Sequence, residues 1–196
     1  MNSLAGRIGP NAITRVAQAL PPLVGSAQAR VVFQRAGLLH YLHQPPSSLV
    51  QEAEVARLHQ ALRATLGPHT AGEVARRAGR LTADYLLARR IPGPVQWLLK
   101  RLPAPWAARL LLQAIGRHAW TFAGSGQFSA RAGRPVQLVI RGNPLCQGLQ
   151  AEQPACSFYT ATFERLFQVL VHRRATVVET ACEARGDAEC RFEVRW

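Results

Sequence analysis

The stretch from Cys156 to Trp196 constrains the fold more than any other part of this chain. It carries three of the four cysteines with a glutamate set among them, in the order Cys156, Glu179, Cys182 and Cys190. Residues 177–182 read as a strand, 184–188 as a turn centred on Gly186, and 190–194 as a second strand. A hairpin folded about Gly186 lays Cys182 roughly opposite Cys190, within cross-strand reach. Cys156, just ahead of a helical stretch, closes the group from one side. Thiolates and a carboxylate are ligands that Zn²⁺ accepts, and four of them make a closed tetrahedral structural site. One detail resists a regular strand: Glu179 and Cys182 are an odd number of residues apart, so strict alternation sends them to opposite faces. A bulge or an early strand end must intervene, or Glu179 is not a ligand. The alternatives are ordinary buried thiols and a Cys182–Cys190 disulfide, the latter without any other sign of an oxidising compartment.

The remaining sequence shows how such a hairpin is covered. With 196 residues, 48% of them hydrophobic and 18% charged, the chain can bury a sizeable core. It shows neither a signal-peptide pattern at its amino terminus nor an apolar run near the roughly 20 residues of a membrane helix. The expected location is cytoplasmic. The formal net charge of +13 comes almost wholly from arginine, with Lys100 the sole lysine. These charges are scattered and accompanied by no nucleic-acid motif, so nucleic acid is not an expected partner. A positive surface does favour anionic lipid, an acidic partner or a carboxylated ligand.

Two short helices are expected before residue 45. The first carries Ile13, Val16 and Leu20 and stops at Pro21-Pro22, and the second spans about residues 26–36. His40 and His43 have metal-ligand spacing but fall in a loop. Capping-box pairs Ser48/Gln51 and Thr70/Glu73 announce two further helices. The first of these ends at Gly67-Pro68 and the second at the Pro92-Gly93-Pro94 region. Another helix is broken near Pro103 and Pro105, with Trp97 and Trp106 beside the break as core residues or pocket walls. The period then changes to 2, which predicts strands through Trp120, Phe122 and Phe128 and through Val136, Leu138 and Ile140. Gly124-Ser125-Gly126 marks a bulge or a close backbone approach. It is not a dinucleotide loop, since neither a third glycine nor a helix follows. A helix from about residue 154 carries Tyr159, Phe163, Leu166 and Leu170. The sum is α+β: N-terminal helices plus an antiparallel sheet of about four strands. Residues 1–48 are expected to form an N-terminal helical extension to a domain spanning 49–196.

The run Glu179-Thr180-Ala181-Cys182, Arg185-Gly186-Asp187, Cys190-Arg191-Phe192-Glu193-Val194 resembles the 4-vinyl reductase domain family. Phenol-responsive sensor domains of that family hold zinc with three cysteines and a glutamate. The resemblance thus implies structural zinc on Cys156, Glu179, Cys182 and Cys190. Cys146 matches no ligand of the pattern and is expected to be a spare thiol. Residues 7–12 and 118–126 are similar to the family's bacteriochlorophyll-biosynthesis members, a likeness that covers nearly the whole chain. The fold it implies is similar to TRAPP subunits, with an apolar cavity, and makes residues 49–196 a vinyl-reductase-type ligand-binding domain. Two activities follow from the resemblance. One is a carrier or accessory factor that binds a magnesium tetrapyrrole. The other is a reductase of the 8-vinyl group (4-vinyl in older numbering) of a divinyl chlorophyllide precursor. A scaffold without ligand is the third reading. Hydride chemistry requires a nicotinamide, flavin or iron–sulfur seat, and no such motif stands in the sequence, so the carrier is expected. Candidate tetrapyrrole contacts are His118, as magnesium ligand or as hydrogen-bonded structural histidine, and Trp120 and Phe122, stacking on the macrocycle or packing in the core. The expected partners are a magnesium porphyrin or chlorophyllide precursor, magnesium chelatase or the methyltransferase that follows it, a second copy of the chain, and peripheral contact with a membrane.

Overall fold

A long helix pair forms the first layer. In the computed structural model, which describes residues 6–196, β1 (Arg7–Ile8) leads into α1 (Asn11–Arg35), and β2 (Val50–Gln51) into α2 (Glu52–Arg89). Both helices are broken once, at glycines that take positive φ. Gly25 (φ 82°, ψ 157°) interrupts α1 and Gly67 (φ 77°, ψ 163°) interrupts α2, a conformation that costs other residues a Cβ clash. Gly67 thus ends a helical run where the sequence predicts it. Pro21 and Pro22 do not: they lie inside α1. Their fixed φ is helical even though each lacks an amide donor, and the chain leaves the helix only at Gly25. The Ser48/Gln51 capping box also fails to form. Gln51 is extended, makes no side-chain cap, and pairs with Arg7 in a two-stranded ribbon instead.

The next helices are α3 (Gly93–Arg101), α4 (Ala104–Arg117) and a single turn, α5 (Trp120–Ala123). Prolines sit in the first turns of α3 and α4, where the missing amide would be unpaired in any case. The alternation at Trp120 and Phe122 is therefore a turn of helix and not a strand. Gly124 turns the chain at φ 59°, and the strand begins only at Gln127. Ser125 meets the Glu52 carboxylate there, its amide at 2.9 Å and its hydroxyl at 2.7 Å. A Cβ on Gly124 would run into the Glu52 side chain, and one on Gly126 into the carbonyls of Arg141 and Gly142, the close backbone approach expected of the Gly-Ser-Gly run.

The second layer is a four-stranded antiparallel sheet in the order β3-β4-β6-β5, built from β3 (Gln127–Arg131), β4 (Val136–Arg141), β5 (Thr176–Ala181) and β6 (Cys190–Arg195). Val136, Leu138 and Ile140 of β4 and Cys190, Phe192 and Val194 of β6 all point inward, as a half-buried sheet requires. Between the layers lies α6 (Ser157–Leu170), whose Phe158, Tyr159, Phe163, Leu166, Phe167 and Leu170 are buried. The crossing of α6 over α2 is close because Gly79 has no side chain. A Cβ there would run into the carbonyl of Phe158, while Thr162 donates to the Gly79 carbonyl at 3.1 Å. Ile13, Val16, Leu20 and Phe33 of α1 join Val55, Leu58 and Leu62 of α2 in the same apolar core as the sheet. The architecture is α+β.

Candidate metal centre

Four local structures deliver one thiol each. Cys146 ends a 3₁₀ turn, Pro144–Cys146, whose N-cap Asn143 accepts from the Leu145 amide at 2.9 Å. Cys156 is the N-cap residue of α6. Cys182 follows β5 directly, and Cys190 opens β6, paired with Ile140. The parity problem of Glu179 is resolved by a bulge: Glu179 pairs with Phe192 and Ala181 with Arg191, so Thr180 is the extra residue. The early strand end then turns Cys182 inward. Gly186 closes the turn at φ 94°, and Asp187 accepts from the Cys182 amide at 2.8 Å.

The four sulfurs lie within 4.8 Å of one another. Cys146 Sγ is 3.3 Å from Cys156, 3.9 Å from Cys182 and 3.6 Å from Cys190. Cys156 Sγ is 3.9 Å from Cys182 and 3.7 Å from Cys190. A tetrahedron with Zn–S bonds of about 2.3 Å has edges of about 3.8 Å. The cluster therefore has the dimensions of a four-thiolate site and could hold a metal ion. All four cysteines are free and buried, so the Cys182–Cys190 disulfide is not formed.

Cys146 is thus no spare thiol. It joins the three thiols of the sequence pattern, and Glu179 lies beside them. One Glu179 oxygen accepts from the Cys156 amide at 2.8 Å, and the other is buried with no hydrogen-bond partner among the described residues. Burial, and then the charge of Cys182, push this carboxyl up to about 9. Asn143 completes the surroundings, donating its amide to Cys156 and Cys190 at 3.2 Å each. The backbone amides of Ala155 and Glu183 point at Cys182 and Cys190, both at 3.4 Å. Donors aimed at sulfur orient ligands and stabilise thiolate charge. Hydrogen bonds from Cys146, Cys156 and Cys190 hold the Cys182 thiol far below its ordinary range. Cys156 is pushed well above it by hydrogen bonds with Cys146, Cys182 and Cys190 and by burial. Such a group cannot ionise fully without a cation.

The candidate tetrapyrrole contacts do not form one cluster. His118, the C-cap residue of α4, is exposed, and Trp120 is 53% exposed. Phe122 is half-buried, edge-on to Phe128 at 5.3 Å and near Tyr159 and Phe163 at 6.0 and 6.1 Å, while its carbonyl accepts from the Tyr159 hydroxyl at 2.7 Å. Trp97 and Trp106 are neither core nor enclosed, at 59% and 62% exposed. Beside Phe128 an open groove of about 340 Å³ runs between α4 and β3, lined by Arg109, Leu112 and Gly116 on one side and Phe128 and Ser129 on the other. A second groove, about 390 Å³, lies between α1 and the segment of Tyr41 and His43. The exposed His40 and His43 join no candidate metal cluster among the described residues.

Residues 136–196, the segment holding all four cysteines, match the 4-vinyl reductase domain family. The bacteriochlorophyll synthase 23 kDa chain of Cereibacter sphaeroides is 43% identical over 98% of this chain and 92% of its own length. This chain belongs to the family of bacteriochlorophyll synthase 23 kDa chains. The Rhodobacter capsulatus protein of the same name is 40% identical over 95% of this chain and 85% of its own. Among solved structures, an unliganded Fe(II) H-NOX protein from K. algicida superposes with a TM-score of 0.61 at 11% identity, covering 96% of both chains. The phenol-responsive sensory domain of the activator PoxR superposes with 0.52 at 15% identity over 74% of each. The domain family was thus legible from the hairpin. The fourth thiol was missed because the family pattern begins at Cys156, although Asn143-Pro144 before Cys146 is itself a turn signal.

Proposed function

We propose that this protein is a bacteriochlorophyll-biosynthesis factor that binds a magnesium tetrapyrrole and passes it between pathway enzymes without reducing it. The observation that carries this reading is the 43% identity, over nearly the full chain, to a protein named for bacteriochlorophyll synthase. The fold adds support, since proteins of the H-NOX family, in which heme distortion has been studied, share it. The α4–β3 groove suits a carrier: its volume is at the low end for small-molecule sites, and it is open. A flat macrocycle can lay its apolar face on Leu112 and Phe128 and keep an edge free for the next enzyme. Arg109 would pair with a propionate there, and His118 and Trp120, exposed just beyond α4 and outside the groove's lining, are the candidates for the metal and the ring edge.

The cysteine centre serves structure in this reading. Cys146, Cys156, Cys182 and Cys190 hold Zn²⁺, whose four thiolates leave no open position and which has no redox chemistry. The free thiols accord with a reducing, cytoplasmic setting. Magnesium chelatase and the methyltransferase after it are the candidate donor and acceptor. The test adds magnesium porphyrins to the zinc-loaded protein while the Soret band is followed. Divinyl protochlorophyllide and chlorophyllide are then incubated with NADPH and with reduced ferredoxin or flavin. A Soret shift, weakened in His118→Ala, with no monovinyl product is expected. Turnover to the monovinyl product overturns the carrier in favour of the 8-vinyl reductase, and neither shift nor turnover favours the scaffold.

A further inference from the structure

The α3–α4 hairpin displays what a folded domain normally buries. Val95, Trp97 and Leu98 of α3 are 43%, 59% and 47% exposed, and Trp106 and Leu110 of α4 are 62% and 42% exposed. Five large exposed apolar side chains on two consecutive helices are a candidate interaction site. Helix α3 buries only Leu99, so it is held to the body by little and offers most of its surface outward. Helix α4 buries Ala107, Ala108, Leu111, Leu112 and Ile115 on its inner side. Trp106 and Leu110, one turn apart, lie together on a different face.

Charge identifies the occupant. Between Asp84 and Glu152 the sequence contains no carboxylate. In the same region Arg89, Arg90, Lys100, Arg101, Arg109 and Arg117 are all exposed. Arg101 lies over the Trp97 ring at 4.8 Å, so cation and indole sit side by side. Short amphipathic helices with tryptophan and leucine among arginine and lysine are built for the interface of a bilayer. There indole rings settle at headgroup depth and basic side chains meet anionic lipid. A protein–protein interface shares the enrichment in tryptophan and arginine; the absence of any carboxylate between Asp84 and Glu152 is what favours an anionic surface.

We infer that the α3–α4 hairpin docks this protein onto anionic membrane surfaces, with Trp97, Leu98, Trp106 and Leu110 entering the interface and Lys100 and Arg101 contacting lipid headgroups. No helix of the described residues is long and apolar enough to cross a membrane, so the contact is peripheral. It stands independently of the tetrapyrrole reading. If both hold, the α4–β3 groove opens beside the membrane-facing stripe of the same helix, where an apolar macrocycle can move between lipid and protein.

The test is flotation of the full-length protein with phosphatidylglycerol/phosphatidylcholine vesicles and with pure phosphatidylcholine vesicles, at low and high salt. Flotation with the anionic vesicles, a blue shift of tryptophan emission and release by salt are expected. Trp97→Ser/Trp106→Ser and Lys100→Glu/Arg101→Glu should each weaken binding by roughly tenfold or more. Because all four positions are exposed, melting curves of these variants should match wild type. Absence of flotation overturns the inference, as does flotation untouched by both variants. Self-association through this face, lost in Trp97→Ser/Trp106→Ser without any lipid binding, overturns it in favour of a second copy.

Discussion

At the scale of single residues the sharpest question is which side chain is the fourth donor to the metal. The 3.3–3.9 Å separations put Cys146 among the other three sulfurs, whereas one Glu179 oxygen accepts from the Cys156 amide and the other has no partner among the described residues. Cys146→Ser should lose zinc and more than about 4 kcal/mol of stability, because structural zinc binding is largely folding energy. Glu179→Gln should keep about one zinc per chain. Metal analysis of the two purified variants checks this, and the opposite result would restore the carboxylate as ligand. A second residue carries a pH dependence. His59 of α2 is buried, its Nε2 has no hydrogen-bond partner among the described residues, and it faces Phe158 edge-on at 6.0 Å. Burial, and then the charge of Arg63, hold it down to about 4 from the ordinary 6.5. Between these values the unfolded chain binds the proton and the folded one does not. Stability should therefore fall as pH drops from about 6.5 to about 4, by on the order of 3 kcal/mol. His59→Gln should remove that part of the slope. Urea denaturation of both proteins at several pH values, read as their difference, isolates it from the acid sensitivity of the thiolates.

Among the elements, the α2–α6 crossing positions the site. α6 begins at Cys156 and carries the aromatic face that supports the sheet, so its distance from α2 sets where one sulfur stands. Gly79 allows that distance, since a Cβ would meet the Phe158 carbonyl and come within 3.1 Å of Ala161 Cβ. Both neighbours are helix backbone or its first side-chain atom, and neither can swing aside. Gly79→Ala gains helix propensity yet must push α6 outward, and the overpacking should dominate by about 1–3 kcal/mol. Thermal melts of the variant report the loss. A rise in melting temperature would mean that the helices separate freely. The β5–β6 hairpin depends on its irregularity in the same way: the extra residue Thr180 lets the strand end with Cys182 turned toward Cys190.

Across the whole molecule, metal and helices should be lost together. The four thiols come from the segment before α6, from the start of α6, and from both arms of the hairpin, and α6 packs on α2. Chelation should therefore lower the melting midpoint of the entire chain, by an amount equivalent to several kcal/mol. Far-ultraviolet and near-ultraviolet circular dichroism should fall in one transition. A surviving helical signal after chelation would show that α1 and α2 fold without the metal centre.

Much of this protein was determined by its sequence alone, wherever the physics is local. Val136, Leu138 and Ile140 alternate because a half-buried sheet needs period 2. The α3–α4 break follows from Pro103 and Pro105, and Gly67 is a helix break because only glycine takes positive φ cheaply. The Cys182–Gly186–Cys190 hairpin was legible as two strands about a glycine turn, and the odd spacing of Glu179 and Cys182 already pointed to a bulge, an early strand end or a glutamate that is no ligand. Tertiary structure decided the rest. Whether Trp120 and Phe122 alternate in a strand or turn in a helix cannot be read from four residues, since both periods fit. That Pro21-Pro22 are tolerated in α1 was set by where the chain could leave the helix. That Trp97 and Trp106 face outward was set by which faces of α3 and α4 found a partner. Cys146 became the fourth sulfur because the Asn143 turn, the start of α6 and the end of β5 converge, and convergence of distant segments has no local signature.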